Sequence, residues 1–488
     1  MTEDKVVPAM STVDILIIIG FIMTIVITLY KVKLKHVSIN EYYIYGRKLS
    51  SFNLAVLWAV AWVGGASTLG LVANVYHHGV SAFWYVFAVA FGTLLFALLL
   101  APRIRKVGDK LNQVTFADII EDRYDVRCRI LVTVINLLTF ILYTASQIVA
   151  ISYVLELTGL FSLPGAIIAG TLLFALYTAR GGLTYILRVA YLFALVIISG
   201  GLILTLYSTQ FMGLKDSLMS MPGGSWDMFG WGWHNIVLTL VAITCTCLTS
   251  SDGYMRCLAS RDERSTKSGL LLASFLIIVM TAAFLLIGLY TRLHFTGPLT
   301  NYEILGLLWL EMPHAIKGVL VVTILAVILS TADISLMVAA ANMSKDIYNR
   351  FIHVRASQEV LLKASYLSAA FIAVLAGIIA LVINDIFIII MWAFKITTIS
   401  LTVPVLGAYF WPRGQANSAF YSMVASLTIT GIWIAFKLNQ ITGIDVMWAG
   451  LSISMMVFFA HSLLVKQDEE CFRKSQAYCR IKGKFANK

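Results

Sequence analysis

Apolar runs of about twenty residues recur from one end of the chain to the other, and each is long enough to cross a hydrocarbon core about 30 Å thick. This constrains the fold more than any other feature. Inside a bilayer no water satisfies backbone N–H and C=O groups, so only helices and closed barrels span it. Runs of this length without period-two alternation specify helices. Hydrophobic residues make up 59% of the 488 positions and charged residues 12%, about half the charged share of a soluble domain. No long polar stretch remains for a soluble domain, so the reading is one all-α membrane domain.

The runs fall at 13–30, 52–77, 82–101, 129–157, 163–179, 189–210, 235–258, 268–291, 314–344, 360–383, 386–411, 416–436 and 444–465, or about thirteen spans. The distribution of basic residues tests this count. With the N-terminus outside, thirty of the thirty-six Lys and Arg fall on inward segments. Lys5, Lys215, Arg292, Lys317 and Lys437 fall outside, and Lys395 lies within a span. A basic cluster at Lys31, Lys33 and Lys35 follows the first run rather than preceding it, which favours an uncleaved first span. The net charge of +11 is therefore read as orientation in a bilayer and not as a nucleic-acid surface. Cys128, Cys245, Cys247, Cys257, Cys471 and Cys479 are read as free thiols: four lie beside basic clusters on the reducing side, and the other two lie within a span.

Two spans carry polar interruptions. The second contains Trp62-Val-Gly64-Gly65-Ala-Ser67-Thr68, and the seventh contains Thr249-Ser250-Ser251-Asp252-Gly253-Tyr254. They stand five spans apart, at corresponding places in two groups of five. Paired interruptions of this kind point to an inverted-repeat transporter with its site at the midplane. The competing reading is close helix packing through small residues.

A charge at membrane depth is a functional candidate by default. Asp252, Asp333 and Lys395 qualify. Ser330 and Thr331 precede Asp333 and present adjacent hydroxyls. They either bond back to their own helix or, with carbonyls freed at a helix break, offer the oxygen ligands that a hard cation requires. Lys395 admits four readings: a buried pair with Asp252, the far end of a zwitterion site, a balance for Asp333, or snorkelling to an interface. Gln147 is a further buried polar group. There is no H-E-x-x-H or G-x-S-x-G motif and no His cluster at membrane depth, which argues against an enzyme.

From about Tyr43 to Arg413 the chain resembles the sodium:solute symporters, solute carrier family 5 in animals. The resemblance is carried by Tyr45-Gly46-Arg47, Gly64-Gly65, Tyr76-His-His-Gly79, Ala101-Pro102-Arg103-Ile-Arg105, Thr115, Arg123-Tyr124 and Gln147. It continues through Tyr177-Thr178-Ala-Arg-Gly181-Gly182-Leu183, Tyr254-Met-Arg256, Leu329-Ser330-Thr331-Ala332-Asp333 and Asp346-Ile-Tyr348. It implies a LeuT-type five-plus-five inverted repeat that alternates access under a sodium gradient. The repeats would be 51–210 and 235–412, with a leading helix and loop over 1–50, two further helices over 413–466 and a cytoplasmic tail over 467–488.

The resemblance also implies a sodium site made of the carbonyls of Val60, Val63 and Val327 with the side chains of Ser330 and Thr331. Trp62, Gly64, Ser67, Gln147, Ser250, Asp252, Tyr254 and Lys395 are the expected solute contacts. Asp333 is the candidate second ion or proton site. The stretch Val189-Ala190-Tyr191 replaces a family aspartate, which weighs against a second sodium. Ser250 stands where choline carriers place an aromatic, and Asp252 where sugar carriers place one, so both solute classes are disfavoured. The expectation is sodium-coupled symport of a charged or zwitterionic organic solute in a plasma membrane, with a bacterial inner membrane fitting the compact loops. The partners expected are sodium, the solute and the lipid bilayer; neither nucleic acid nor an obligate protein partner is implied. A proton-coupled carrier on the same fold and a transporter-like sensor are the alternatives.

Overall fold

The computed structural model describes residues 10–30, 38–157, 159, 161–177, 182–210, 221, 223–295, 297–467 and 469–479. Lys5, Lys31, Lys33, Lys35, Thr178–Gly181, Lys215 and the tail beyond Cys479 lie outside these residues. Among the described residues the named elements are all helices, and the only β-type pairing is an isolated bridge between Leu49 and Ser260.

Local chemistry sets where the helices begin. The carboxylate of Asp125 accepts from Cys128 N at 2.9 Å and starts the 31-residue helix Val126–Glu156. Asp262 accepts from Ser265 N at 2.7 Å and starts Glu263–His294. Each satisfies one of the amides that a helix N-terminus leaves without a partner. Nine helices among the described residues are long and apolar enough to cross a membrane, and ten if the bent pair Trp233–Thr249 and Ser251–Ala259 is one span. Three shorter apolar helices, at Thr12–Thr28, Ser51–Trp62 and Leu163–Ala175, are the further candidates that the expected thirteen would require. Leu195, Phe275, Leu367 and Val382 are each more than 60% exposed on the outer helices. That is the reverse of a water-soluble surface and suits contact with lipid.

Helix Ile316–Ala341 is the core element, with 89% of its apolar window buried. It packs against Val126–Glu156, Gly182–Gln210, Gln358–Val382, the first helix and Ser51–Trp62, and continues as a π-helix over Asn342–Ile352. Asp14, fully buried on the first helix, accepts from Ala315 N at 2.8 Å and Gly318 N at 2.9 Å. It thereby caps the core helix from another element. Helices Ala416–Ala435 and Val446–Leu464 pack on each other and on Ile386–Phe410.

The two interrupted helices meet at one end. Leu49 N donates to Ala259 O at 3.0 Å, and Arg261 N donates to Leu49 O at 2.9 Å. Arg105 buttresses this bridge by donating from Nε to Ser260 O at 2.6 Å and from Nη2 to Arg261 O at 3.1 Å.

Candidate functional site

Helix Ser51–Trp62 stops at Val63, whose ψ of 74° leaves the helical region, and the chain resumes as a helix at Leu69. Ser67 N donates to Gly64 O at 3.0 Å. The amide that would serve Val63 O in an unbroken helix is thus given away. Side chains staple the break. Ser67 Oγ donates to Trp62 O at 2.8 Å, and Thr68 Oγ1 donates to Gly64 O at 3.0 Å. From helix Val126–Glu156, Gln147 accepts from Gly65 N at 3.1 Å and donates to Ser146 Oγ at 3.0 Å.

The core helix lies against this break. Ser330 Oγ donates to Val60 O at 2.7 Å and to Val327 O at 2.9 Å. Thr331 Oγ1 donates to Ala61 O at 3.2 Å and to Val327 O at 3.3 Å. Five oxygens from two elements thus converge in a buried spot. A Cβ on Gly64 would stand 2.7 Å from Thr331 Oγ1, so glycine is what allows this approach.

The second interruption bends by 41° at Ser250, which is extended at φ −71°, ψ 125°. Ser250 Oγ donates to Asp252 Oδ1. Asp252 Oδ2 lies 2.9 Å from Arg256 Nη2, one helical turn on, and both side chains are buried. The Arg256 guanidinium rests over the Trp58 ring at 5.3 Å. Trp58 in turn stacks on Phe96 and Trp62 and donates from Nε1 to Thr93 Oγ1 at 2.9 Å.

Between the two breaks lies a small cavity of about 10 Å³, lined by Trp62, Tyr143, Asp252, Arg256, Thr331 and Ser335 among others. It holds about one water. Thr331 belongs both to the oxygen cluster and to this cavity.

The expected residues divide accordingly. Val60, Val327, Ser330 and Thr331 come together, with Ala61 as a carbonyl that the sequence reading missed. No hydroxyl of that cluster bonds to Val63 O among the described residues. Trp62 and Asp252 line the cavity, and Ser250 sits beside it through Asp252. Gly64, Ser67 and Gln147 shape the first break. Tyr254 faces elsewhere: its hydroxyl donates to Leu248 O at 3.1 Å, spanning the second break, and its ring packs among Phe96, Phe116 and Tyr409.

Lys395 corrects the expectation. It pairs with neither Asp252 nor Asp333 but with Asp445 Oδ2 at 2.7 Å, at the start of helix Val446–Leu464. Trp392 and Lys395 line a separate cavity of about 330 Å³ with Trp231, His234 and Asp445. Asp333 is buried on the core helix and does not line the cavity between the breaks. The partner of Asp252, Arg256, carries only an i, i+4 signal in the sequence. Asp445 carries none. All six cysteines are free, and no group of three metal-ligating side chains occurs among the described residues.

At the end of the bundle that holds the Leu49–Ser260 bridge, Arg129 contacts three carboxylates. Glu121 lies at 2.6 Å, Asp118 at 3.0 Å and Asp346 at 2.5 Å. Lys345 joins Asp118 at 2.7 Å, and Thr115 Oγ1 donates to Asp346 at 2.8 Å.

Two broken helices flanking a buried cavity, with an oxygen cluster at one break, define a secondary transporter rather than an enzyme. The pattern that defines the sodium:solute symporter family matches residues 42–426, and the chain belongs to that family, whose coupling ion is sodium. The chain is 24% identical over 491 residues to the osmoregulated proline transporter of Bacillus subtilis, covering 93% of this chain and 96% of that protein. It is 22% identical to the sodium/pantothenate symporter of Haemophilus influenzae, covering 85% and 88%. A Na+-coupled sialic acid symporter solved in a substrate-bound outward-open state is similar with a TM-score of 0.76 at 17% identity, covering 93% of this chain and 98% of that one. A nucleobase-cation-symport-1 family transporter matches with a TM-score of 0.58 at 13% identity, covering 91% and 99%. The fold is therefore the LeuT type expected from the sequence.

Proposed function

We propose that this protein moves a small polar organic solute, charged or zwitterionic, together with sodium by alternating access between repeats 51–210 and 235–412. The observation that carries the reading is the convergence of the Ser330 and Thr331 hydroxyls on the carbonyls of Val60, Ala61 and Val327. A sodium ion there would be held by both hydroxyl oxygens and by carbonyls of the first break, with Val63 O supplying a further ligand.

The ligands belong to two elements and meet only when those elements are docked. Sodium therefore favours the docked state, and a ligand shifts an equilibrium only by its differential affinity for the two states. Thr331 also lines the cavity between the breaks, so ion and solute would share a wall there, and the cavity, at about 10 Å³, must widen to admit the solute. Trp62 and Asp252 are the proposed solute contacts, and Gly64, Ser67, Gln147 and Ser250 hold them in place. Lys395 and Tyr254 act from outside the cavity. Relatives named for proline and pantothenate are in keeping with such a solute. The bias of basic residues supports an N-terminus outside and a C-terminus in the cytoplasm.

Substituting Thr331→Ala removes one ligand. It is expected to raise the sodium concentration needed for half-maximal uptake roughly 10-fold or more, the worth of one contact to a charged group. Uptake in reconstituted vesicles across a sodium titration reads this directly. Unchanged sodium dependence overturns the site, and uptake driven by a pH gradient without sodium overturns sodium coupling.

A further inference from the structure

Two side chains that line the cavity between the two breaks, Trp62 and Arg256, carry donors without acceptors. Arg256 is 2% exposed, and none of its Nε, Nη1 and Nη2 atoms has a hydrogen-bond partner. Asp252 approaches Nη2 at 2.9 Å as an ion pair without hydrogen-bond geometry, and its other oxygen already accepts from Ser250. Trp62, 7% exposed and lining the same cavity, has an Nε1–H with no acceptor. A buried donor left without a partner costs about 1–3 kcal/mol, and more when it is charged. Such a cost is kept where a ligand relieves it. The guanidinium presents its donors as a planar fork that matches a carboxylate, and it rests over the Trp58 ring at 5.3 Å. The cavity also borders Thr331, so an anion placed here would lie near a sodium ion in the adjacent oxygen cluster.

We infer that Arg256 is the anion-recognition residue of the solute site, and that the transported solute carries a carboxylate. As the walls of this one-water cavity part to admit it, the carboxylate takes the guanidinium fork and the Trp62 indole N–H. Asp252 holds the guanidinium while the site is empty, and its released oxygen then faces whatever cationic group the solute bears. This rests on the symport reading above and narrows its solute to carboxylates.

The test measures thermal unfolding of the purified full-length protein in sodium or in potassium. L-proline, pantothenate, lactate and succinate are each compared with a neutral analogue, neutral in that an uncharged amide or alcohol replaces the carboxylate. A ligand of the folded state raises its stability by mass action. At least one carboxylate is expected to raise the melting temperature in sodium while its neutral analogue does not. Arg256→Gln is expected to raise the half-saturating concentration of that carboxylate about 10–100-fold, with Arg256→Lys in between. Because Arg256→Gln strands Asp252 and could unfold the protein, the double variant D252N/R256Q, which removes both charges, is the second arm and is expected to lose the same preference. A purely structural Arg256 would lower the melting temperature and leave the preference for carboxylate over amide intact. That result, an equal shift from the neutral analogue, or no shift from any carboxylate overturns the inference. Stabilisation by sodium over potassium without solute reports on Ser330 and Thr331, and its absence would sink the symport reading instead.

Discussion

Gly64 shows how much can rest on a missing side chain. The Cβ that it lacks would fall 2.7 Å from Thr331 Oγ1. Gly64→Ala must therefore push the first break away from the core helix or turn Thr331 from its carbonyls. Overpacking of this kind costs about 1–3 kcal/mol. The expected outcome is a protein that still folds but needs roughly 10-fold more sodium for stabilisation, read by melting across a sodium titration; an unshifted midpoint would mean that the break tolerates the extra methyl group. Legibility varied by residue. Gly64-Gly65 and Thr249-Ser250-Ser251-Asp252 announced both breaks, because polar and flexible residues weaken an apolar helix and are costly in lipid unless the helix opens there. Ser330 and Thr331 are legible as paired hydroxyls at membrane depth, but the contact of Thr331 with Ala61 O is not, because a backbone carbonyl leaves no trace in residue type. The charges were the hardest. Arg256 sits four residues after Asp252 on the same helix face, an ordinary spacing in any helix, whereas Lys395 stands alone as a cation within its span. Its partner, Asp445, lies 50 residues further along the chain, where periodicity gives no hint of pairing.

At the scale of elements, polar ties concentrate at the end of the bundle that carries the Leu49–Ser260 bridge. Arg129 joins three carboxylates from two other elements while being 6% exposed, and its partner Asp346 is fully buried. Removing one member of a buried ionic group leaves an uncompensated charge at a cost of about 3–5 kcal/mol. Arg129→Gln is expected to lower the melting temperature sharply. Arg350→Gln removes a half-exposed contact to Glu121, and pairs of that kind contribute about 0–1 kcal/mol. Equal losses in the two variants would show that the cluster does not hold the helices together. Thr115 and Asp346 entered the sequence reading only as separate family elements; the structure joins them at 2.8 Å.

At the scale of the whole molecule, the first helix is bound in more firmly than an appended anchor would be. Asp14 accepts from Ala315 N and Gly318 N, and Ala315 is held at φ 68°, a strained position for a residue with a Cβ. Asp14→Ala is expected to strand both amides and cost about 1–3 kcal/mol, seen as a lower melting temperature with the sodium midpoint unchanged. A changed midpoint would mean that the first helix takes part in ion binding.

The backbone bridge between Leu49 and Ser260 bears on how cargo leaves. It pins the two broken helices together at one end, while the oxygen cluster and the cavity sit further along, at the breaks. Two levers fixed to a common pivot sweep together. Under the proposed mechanism, tilting the paired arms away from Ser330 and Thr331 would part the oxygen cluster and the walls of the cavity in one stroke. Discharge of ion and solute would then be one mechanical event, coupled by leverage rather than by timing.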